Sequence, residues 1–433
     1  MTTATHHPIG VNHDVIGLIN ALRNPASYPH PAEYVRVLQT HTSCVFLTGD
    51  FAYKIKKPVQ FTFLDYGTLD NRLFYLQEEI RLNGTLCPDI YLDVVPITRQ
   101  DGAVTIDGDG EVIEWAVRMR QLRDEDILAN RLITGKVERE DIEQIAKLLA
   151  YFHTGAFRDS IDGDFGTPKQ IEHEVADACR TMDFSIEGND WNSRYLIRPY
   201  LENFIAQHAD LFWDRIHQDK IRDCHGDLRT RNVCLDERYG DGIQLFDCIE
   251  FSHDLRFIDT AADIAYLAMD LDLAGRRDLS DILIDTYQEV ANDDDLCVLL
   301  PFYQTYRAVI RGNIAVLAAS EIEMPEPDRD RNTSIAAAAY DLARCYSGER
   351  TTPALMITVG YSGSGKSTLA REISRRLPAI LLSSDEIRKE LVDQLPCKGD
   401  LYSPANRTHV YDELRHRAIY YLTSHISSFA RST

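Results

Sequence analysis

The chain has 433 residues, 44% of them apolar and 26% charged, with a formal net charge of −22 at pH 7. That length exceeds one ordinary core and implies two or three globular domains. The acidic balance argues against nucleic acid as the main partner, because phosphate backbones are gripped by basic stripes, but it leaves room for a basic pocket on an acidic surface.

No run approaches the roughly 18 apolar residues of a membrane span, and "MTTATHHPIGVNHDVIG" lacks the basic and apolar regions of a signal peptide. Nine cysteines without a C-x-x-C pair point to reduced thiols in a cytoplasm, not to a disulfide frame or a zinc site.

Residues 1–34 are read as an N-terminal extension with a helix. From Val35 to Thr98, short β-branched and aromatic runs alternate with turn signals. "VRVLQTHTSCVFLTGDFAYKIKKPV" predicts strands joined by a tight turn at Thr48-Gly49-Asp50. "TLDNRLFYLQEEIRLNGTL" sets Leu69, Leu73, Leu76 and Ile80 at helical spacing. Two more strand-like runs, "IYLDVVPITR" and "EVIEWAVRMRQL", flank the hairpin-like "DGAVTIDGDG". Residues 35–123 are thus a strand-rich lobe.

Residues 124–346 read as a helical lobe, for example "REDIEQIAKLLAYFHTGAF", interrupted by the island "CHGDLRTRNVCLDERYGDGIQLFDCIEF". Strands followed by helices suggest two lobes with a cleft between them. "EMPEPDRDRNTS" is read as a polar loop and "SIAAAAYDLARCY" as a short helix. Residues 347–353 then link to an α/β segment, 354–433.

The island holds His225-Gly226-Asp227, then Asn232, and the strand-like "IQLF" delivers Asp247. Phosphoryl transfer to a hydroxyl needs a carboxylate to orient the hydroxyl and take its proton, oxygen ligands for Mg²⁺, and a lysine for the phosphates. Asp227 is expected as the base, Asn232 and Asp247 as metal ligands, and Lys54 of "FAYKIKK" as the phosphate lysine. Lys56 lies on the same strand face two residues on and is the alternative. Glu250, three residues beyond Asp247, is expected to support the site or face solvent.

This order of residues resembles the aminoglycoside phosphotransferase and choline kinase group over roughly residues 35 to 320, most closely in "HGDLRTRN" and "FDCIEF". The resemblance implies an α+β bilobal protein-kinase-like domain with ATP and Mg²⁺ as cofactors and a small-molecule acceptor such as an amino-sugar or sugar. It also implies that a helix glutamate, Glu79 or else Glu78, orients the lysine. Ser43 in "HTSCVFL" would offer its hydroxyl or N–H to phosphate, and Asp263 in "DTAADIAYL" would support the catalytic loop. His225 is read as a buttress of that loop.

"ALMITVGYSGSGKSTLAREISRRL" combines an apolar strand, a glycine-rich turn and an amphipathic helix, fitting G-x-x-x-x-G-K-[ST]. Gly360, Gly363 and Gly365 would let backbone N–H groups converge on phosphate at a helix N-terminus. Lys366 would reach the β/γ-phosphates, Ser367 would ligate Mg²⁺, and Thr368 would complete the cradle. "PAILLSSDEIRKEL" resembles small P-loop kinases of the gluconate-kinase and zeta-toxin type, which implies that Asp385 and Arg388 face an acceptor.

"SPANRTHVYDELRHRAIYYLTSHI" reads as a last helix, and "SSFARST" as a tail without a strand ending in a metal-binding Asp. Such a domain has on the order of 150 residues, about twice the length of 354–433. A partial P-loop domain with an uncovered sheet edge is therefore expected, together with self-association through it. The order of the two domains resembles a bacterial two-domain family of ATP-binding proteins.

Overall fold

The structure is a computed structural model. It describes residues 13–40, 42–61, 64–158, 164–185, 194–320, 326–348, 355–358, 361, 364–370, 379–392, 395–397, 400–423 and 427–431. The chain divides into two compact units, Met1–Thr167 with Leu211–Asn292, and Pro168–Asp210 with Asp293–Thr433.

The first unit begins with α1 (His13–Leu22), β1 (Arg36–Gln39), β2 (Ser43–Leu47) and β3 (Phe51–Lys56). A two-stranded ribbon, β4 (Gln60–Phe61) and β5 (Leu64–Asp65), leads to α2 (Leu69–Leu86). Then come β6 (Tyr91–Gln100), β7 (Ala103–Ile106) and β8 (Glu111–Arg120). Six of these strands form an antiparallel sheet in the order β1-β2-β3-β8-β6-β7. The turn at Thr48 is closed by its N–H donating to the Phe51 carbonyl at 2.9 Å.

Period-2 alternation gives the sheet two apolar faces. Cys44, Phe46, Tyr53 and Ile55 pack with Val15, Leu18, Ile19 and Leu22 of α1. Leu47, Ala52, Val117 and Met119 pack with Leu76 of α2.

The helical part follows in chain order: α3 (Leu128–Ile133), α4 (Arg139–Gly155), α5 (Pro168–Ser185), α6 (Arg194–Gln207) and α7 (Ala209–His217). Four short strands come next, β9 (Ile221–Asp223), β10 (Val233–Leu235), β11 (Ile243–Leu245) and β12 (Phe257–Asp259). After them come α8 (Thr260–Leu273), α9 (Arg277–Ala291), α10 (Leu296–Ala319) and α11 (Glu326–Ser347). β10 pairs with β11 and β9 with β12, so the HGD loop leaves one ribbon and enters the other.

Residues of "EMPEPDRDRNTS" from Glu326 onward belong to α11 and are not loop, a correction to the sequence reading. Pro327 lies in the first turn, where its missing N–H costs nothing. Glu326 and Asp328 there complement the helix dipole. In the second unit α11 packs on α10: a Cβ on Gly312 would lie 2.5 Å from the Tyr340 ring, whose hydroxyl donates to Asn313 Oδ1 at 2.8 Å.

The C-terminal segment contains β13 (Leu355–Thr358), β14 (Ala379–Ser383) and β15 (Ser427–Arg431), parallel in the order β13-β15-β14. "SSFAR", read from sequence as tail, is thus the central strand. Its Ser and Arg content hides it, since central parallel strands ordinarily read as apolar runs. Leu382 and Ile387 pack with Val410, Leu414 and Ala418 of the helix Pro404–Thr423. The order is therefore as expected: a strand-rich sheet, then helices, then an α/β P-loop segment. Among the described residues no helix is long and apolar enough to cross a membrane.

Candidate functional site

In β3, Ala52 faces α2 while Tyr53 and Ile55 face α1, so alternation turns Lys54 and Lys56 toward α2. Thr68 caps α2, its Oγ1 accepting the Asn71 N–H at 3.1 Å. Along α2 the buried positions are Arg72, Leu76, Glu79, Asn83 and Leu86, four and three residues apart, which is one helix face. Glu79 therefore meets the lysines and is wholly buried, whereas Glu78 lies off that face and pairs with Arg81 at 2.7 Å.

Lys54 Nζ donates to Glu79 Oε1 and to Asp247 Oδ1, each at 2.6 Å. Lys56 Nζ donates to Glu79 Oε2 at 2.5 Å and also to Glu250, which accepts from the Tyr66 hydroxyl as well. Both lysines thus share one glutamate. Glu250 is buried in this network, not solvent-facing.

The HGD loop hangs on Asp263 of α8. Asp263 Oδ2 accepts the His225 N–H and Oδ1 the Gly226 N–H, both at 3.0 Å, and His153 Nε2 approaches Oδ2 at 3.2 Å. His225 Nε2 donates to the Phe246 carbonyl at 2.9 Å, and its Nδ1 accepts the Asp227 N–H at 3.3 Å. Bonded through both nitrogens, the ring serves as a brace for the loop. Gly226 has φ +84°, and a Cβ there would lie 2.8 Å from the Leu255 carbonyl oxygen.

Asp227 is gripped from three sides. Arg229 donates to its Oδ2 at 2.5 Å, Arg231 approaches at 3.5 Å, and Asn232 Nδ2 donates to its Oδ2 at 3.2 Å and its carbonyl at 2.8 Å. Asp247 follows β11 in the left-handed region, φ +67°, an uncommon state for a non-glycine residue. Its N–H donates to the Tyr91 hydroxyl at 3.2 Å, and the next N–H, of Cys248, donates to Asn83 Oδ1 at 3.0 Å. Asn83 Nδ2 in turn donates to the Glu79 carbonyl at 2.8 Å, so α2 fixes both the glutamate and the backbone beside Asp247.

The charges respond to one another. Burial alone would raise the Asp247 carboxyl, but Lys54 outweighs it and holds Asp247 well below the usual carboxylate range. Burial likewise opposes ionisation of Asp227, and the Arg229 and Arg231 guanidiniums reverse that, lowering it. Burial would weaken both ammonium groups; Asp247 and Glu79 beside Lys54, and Glu250 and Glu79 beside Lys56, lift them above the ordinary lysine value.

Asn232 turns its amide nitrogen to Asp227, which directs Oδ1 elsewhere, and the Asp247 side chain is 38% exposed. An amide oxygen and a carboxylate are the hard oxygen donors that suit Mg²⁺. His153, Cys224 and Asp263 also bring ligand atoms within 4.8 Å of one another. Asp263 there already carries the loop N–H groups and His153 Nδ1 meets the Tyr287 hydroxyl at 2.8 Å, so this cluster is scaffold.

Ser43 begins β2 opposite Lys56; its N–H is engaged with Thr40 Oγ1 at 3.0 Å. Gly360 and Gly363 lie outside the described residues. Gly365 has φ +85°, Lys366 Nζ donates to the Tyr361 carbonyl at 2.7 Å, and Ser367 and Thr368 lie in the first turn of the following helix. Asp385 and Arg388 pair at 2.6 Å on the helix Ser384–Glu390, with the Arg388 guanidinium 4.5 Å from the centre of the Tyr402 ring.

Arg229, Arg231, Tyr66, Asn83 and Tyr91 join the site without being singled out by motif. The two arginines had a legible signal, two and four residues after Asp227 inside "HGDLRTRN".

Residues 355–433 match the family described as an AAA domain. The uncharacterized proteins Rv2004c of Mycobacterium tuberculosis and Mb2027c of Mycobacterium bovis are 32% identical to the chain over 395 residues, covering 89% of it and 75% of each relative. Among solved structures, the chain is similar to an ethanolamine kinase of Plasmodium vivax (13% identity, TM-score 0.43, covering 70% of this chain and 81% of that one). It is also similar to the choline kinase LicA of Streptococcus pneumoniae (16% identity, TM-score 0.40, covering 72% and 94%).

Proposed function

The chain belongs to the family of these uncharacterized mycobacterial proteins, and we propose that it is an ATP-dependent phosphotransferase acting on a hydroxyl of a small molecule. The observation that carries this is the meeting of Lys54, Glu79 and Asp247 at 2.6 Å, beside an Asp227 held in place by Asn232 and Arg229.

Lys54 would take the α/β-phosphates, oriented by Glu79, and Asp227 would orient the acceptor hydroxyl and receive its proton. Asn232 and Asp247 would hold Mg²⁺, which when bound neutralises charge on the phosphates. Asp227 is a weak base because its arginines keep it ionised, which suits a reaction governed by positioning more than by proton abstraction. Asp263 and His225 support it by fixing the loop backbone.

A γ-phosphate-transfer screen over amino-sugars, sugars, nucleosides and amino-alcohols tests the activity. With an acceptor in hand, Asp227→Asn should cut turnover by about 10²–10⁴-fold with nucleotide affinity kept. Unchanged turnover would refute the assignment.

A second reading is favoured by the AAA-domain match and by a glycine-turned loop between a strand and a helix. In it the C-terminal segment is the nucleotide site, with Lys366, Ser367 and Thr368 on phosphate and Asp385 and Arg388 toward the acceptor. Loss of all turnover in Lys366→Ala, with Asp227→Asn silent, would establish that reading in place of the first.

A further inference from the structure

Lys56 is a buried charge to which the proposed chemistry gives no task. Its ammonium lies between Glu79 and Glu250, 5.4 Å from the centre of the Tyr66 ring, and the Tyr66 hydroxyl donates to the same Glu250 oxygen. With Lys54 this makes one chain of contacts: Asp247, Lys54, Glu79, Lys56, Glu250, Tyr66. Orienting Lys54 requires only Glu79, and desolvating a second ammonium beside it is costly.

The two ends of this chain differ. Asp247 is 38% exposed and Lys54 11%, whereas Glu79, Lys56 and Glu250 are 0%, 1% and 6% exposed. The Lys54 end can trade a partner with something arriving from solvent; the Lys56 end cannot. Glu79 gives one oxygen to each lysine. Were Lys54 its sole cation, Glu79 would be drawn along whenever Lys54 moved.

We propose that Lys56, clamped by Glu250 and Tyr66, is a positioning residue that holds Glu79 still while Lys54 exchanges the Asp247 carboxylate for nucleotide phosphate, an inference that rests on the phosphotransferase reading. Glu250 lies three residues past Asp247, so the fixed and the exchanging ends join the same two segments, β3 and the stretch after β11.

An acyl-phosphate derivative of ATP tests this without turnover, because it acylates lysines beside bound phosphates and peptide mass spectrometry names each one. In the full chain Lys54 is acylated. In Lys56→Met its rate falls by about tenfold, the scale of losing an outer support, while Lys366 keeps its rate and serves as control. Equal rates at Lys54 in the two proteins overturn the proposal.

The double variant Lys56→Met/Glu250→Leu removes both members of the buried pair and carries the test should the single variant not fold. Labelling that stays low supports positioning. Recovery to the full rate means only charge balance mattered, and overturns it. No acylation of Lys54 in the unaltered chain would remove the phosphotransferase reading itself, and the inference with it.

Discussion

Lys54 and Asp247 are joined by a 2.6 Å hydrogen bond although 193 positions separate them in the chain. The bond ties the strand that carries the lysine to the segment after β11, and its partner Glu79 ties both to α2. One ammonium thus reports on three elements. Its aspartate end is half open to solvent and its glutamate end is closed.

That asymmetry predicts a ranking of stabilities. Lys56→Met strips the paired cation from the buried Glu250, while Glu79 keeps only Lys54, and should cost about 3–5 kcal/mol, the penalty for breaking a buried pair. Lys54→Met should cost less, because Glu79 keeps Lys56 and Asp247 reaches water. Urea unfolding of the two variants checks the order. A larger loss in Lys54→Met would contradict it.

The same groups fix a stability-against-pH profile. Asp227 and Asp247 are lowered, so their contribution is complete above the unfolded carboxylate value of about 3.9 and is lost as pH falls through their lower folded values. Lys54 and Lys56 are raised, so theirs is complete below about 10.4 and is lost as pH rises through the higher folded values. Melting temperature should be flat with respect to this network across the neutral range and fall on both sides. In Lys54→Met the acid-side fall should shrink, since Asp247 loses the cation that lowers it. A scan of melting temperature against pH that showed no such shrinkage would contradict the assignment.

Gly226→Ala should damage the loop specifically. The new Cβ would meet the Leu255 carbonyl at 2.8 Å and Ile249 Cδ1 at 3.0 Å in a backbone state, φ +84°, that alanine resists. Gly49, with φ +106° at the β2–β3 turn, has nothing within 4 Å, so Gly49→Ala bears only the backbone cost, about 1–2 kcal/mol. Gly226→Ala should therefore lose more stability than Gly49→Ala. Parallel thermal melts measure the difference, and equal losses would mean the loop accommodates the methyl.

Motif spacing singles out the residues that the fold brings together in the candidate site, but not their pairing. "FAYKIKK" offers two lysines on one strand face, and only the burial of α2 settles which carboxylate they meet. Of the helically spaced Leu69, Leu73, Leu76 and Ile80, Leu76 is buried and Ile80 packs beside it, but the same buried face also carries Arg72, Glu79 and Asn83. Polar residues that satisfy one another inside a fold leave no hydrophobic signature. Glu250 was obscure for the same reason: its partners Lys56 and Tyr66 are 194 and 184 positions away. β15 was missed because its pairing with β13 and β14 is long-range, and "SSFAR" carries little strand propensity of its own.

Asp263 gives the sharpest separation of loop support from chemistry. It touches no expected ligand position, yet its two oxygens accept the His225 and Gly226 N–H groups and hold the turn that presents Asp227. Asp263→Ala leaves two buried donors unpaired, each costing about 1–3 kcal/mol. Asp263→Asn keeps one acceptor oxygen, and its NH₂ then faces the other N–H, so it should fall between Ala and the unaltered chain. Because a displacement near 1 Å at a reacting group costs on the order of 10²-fold in rate, turnover should drop in the same order as stability. Nucleotide affinity should hold, since Lys54 and Glu79 hang on β3 and α2 and not on this loop. Measuring melting temperature, turnover and nucleotide affinity for both variants checks the three together. An Asp263→Asn protein with full turnover but lowered stability would mean that Asp227 is positioned without this anchor.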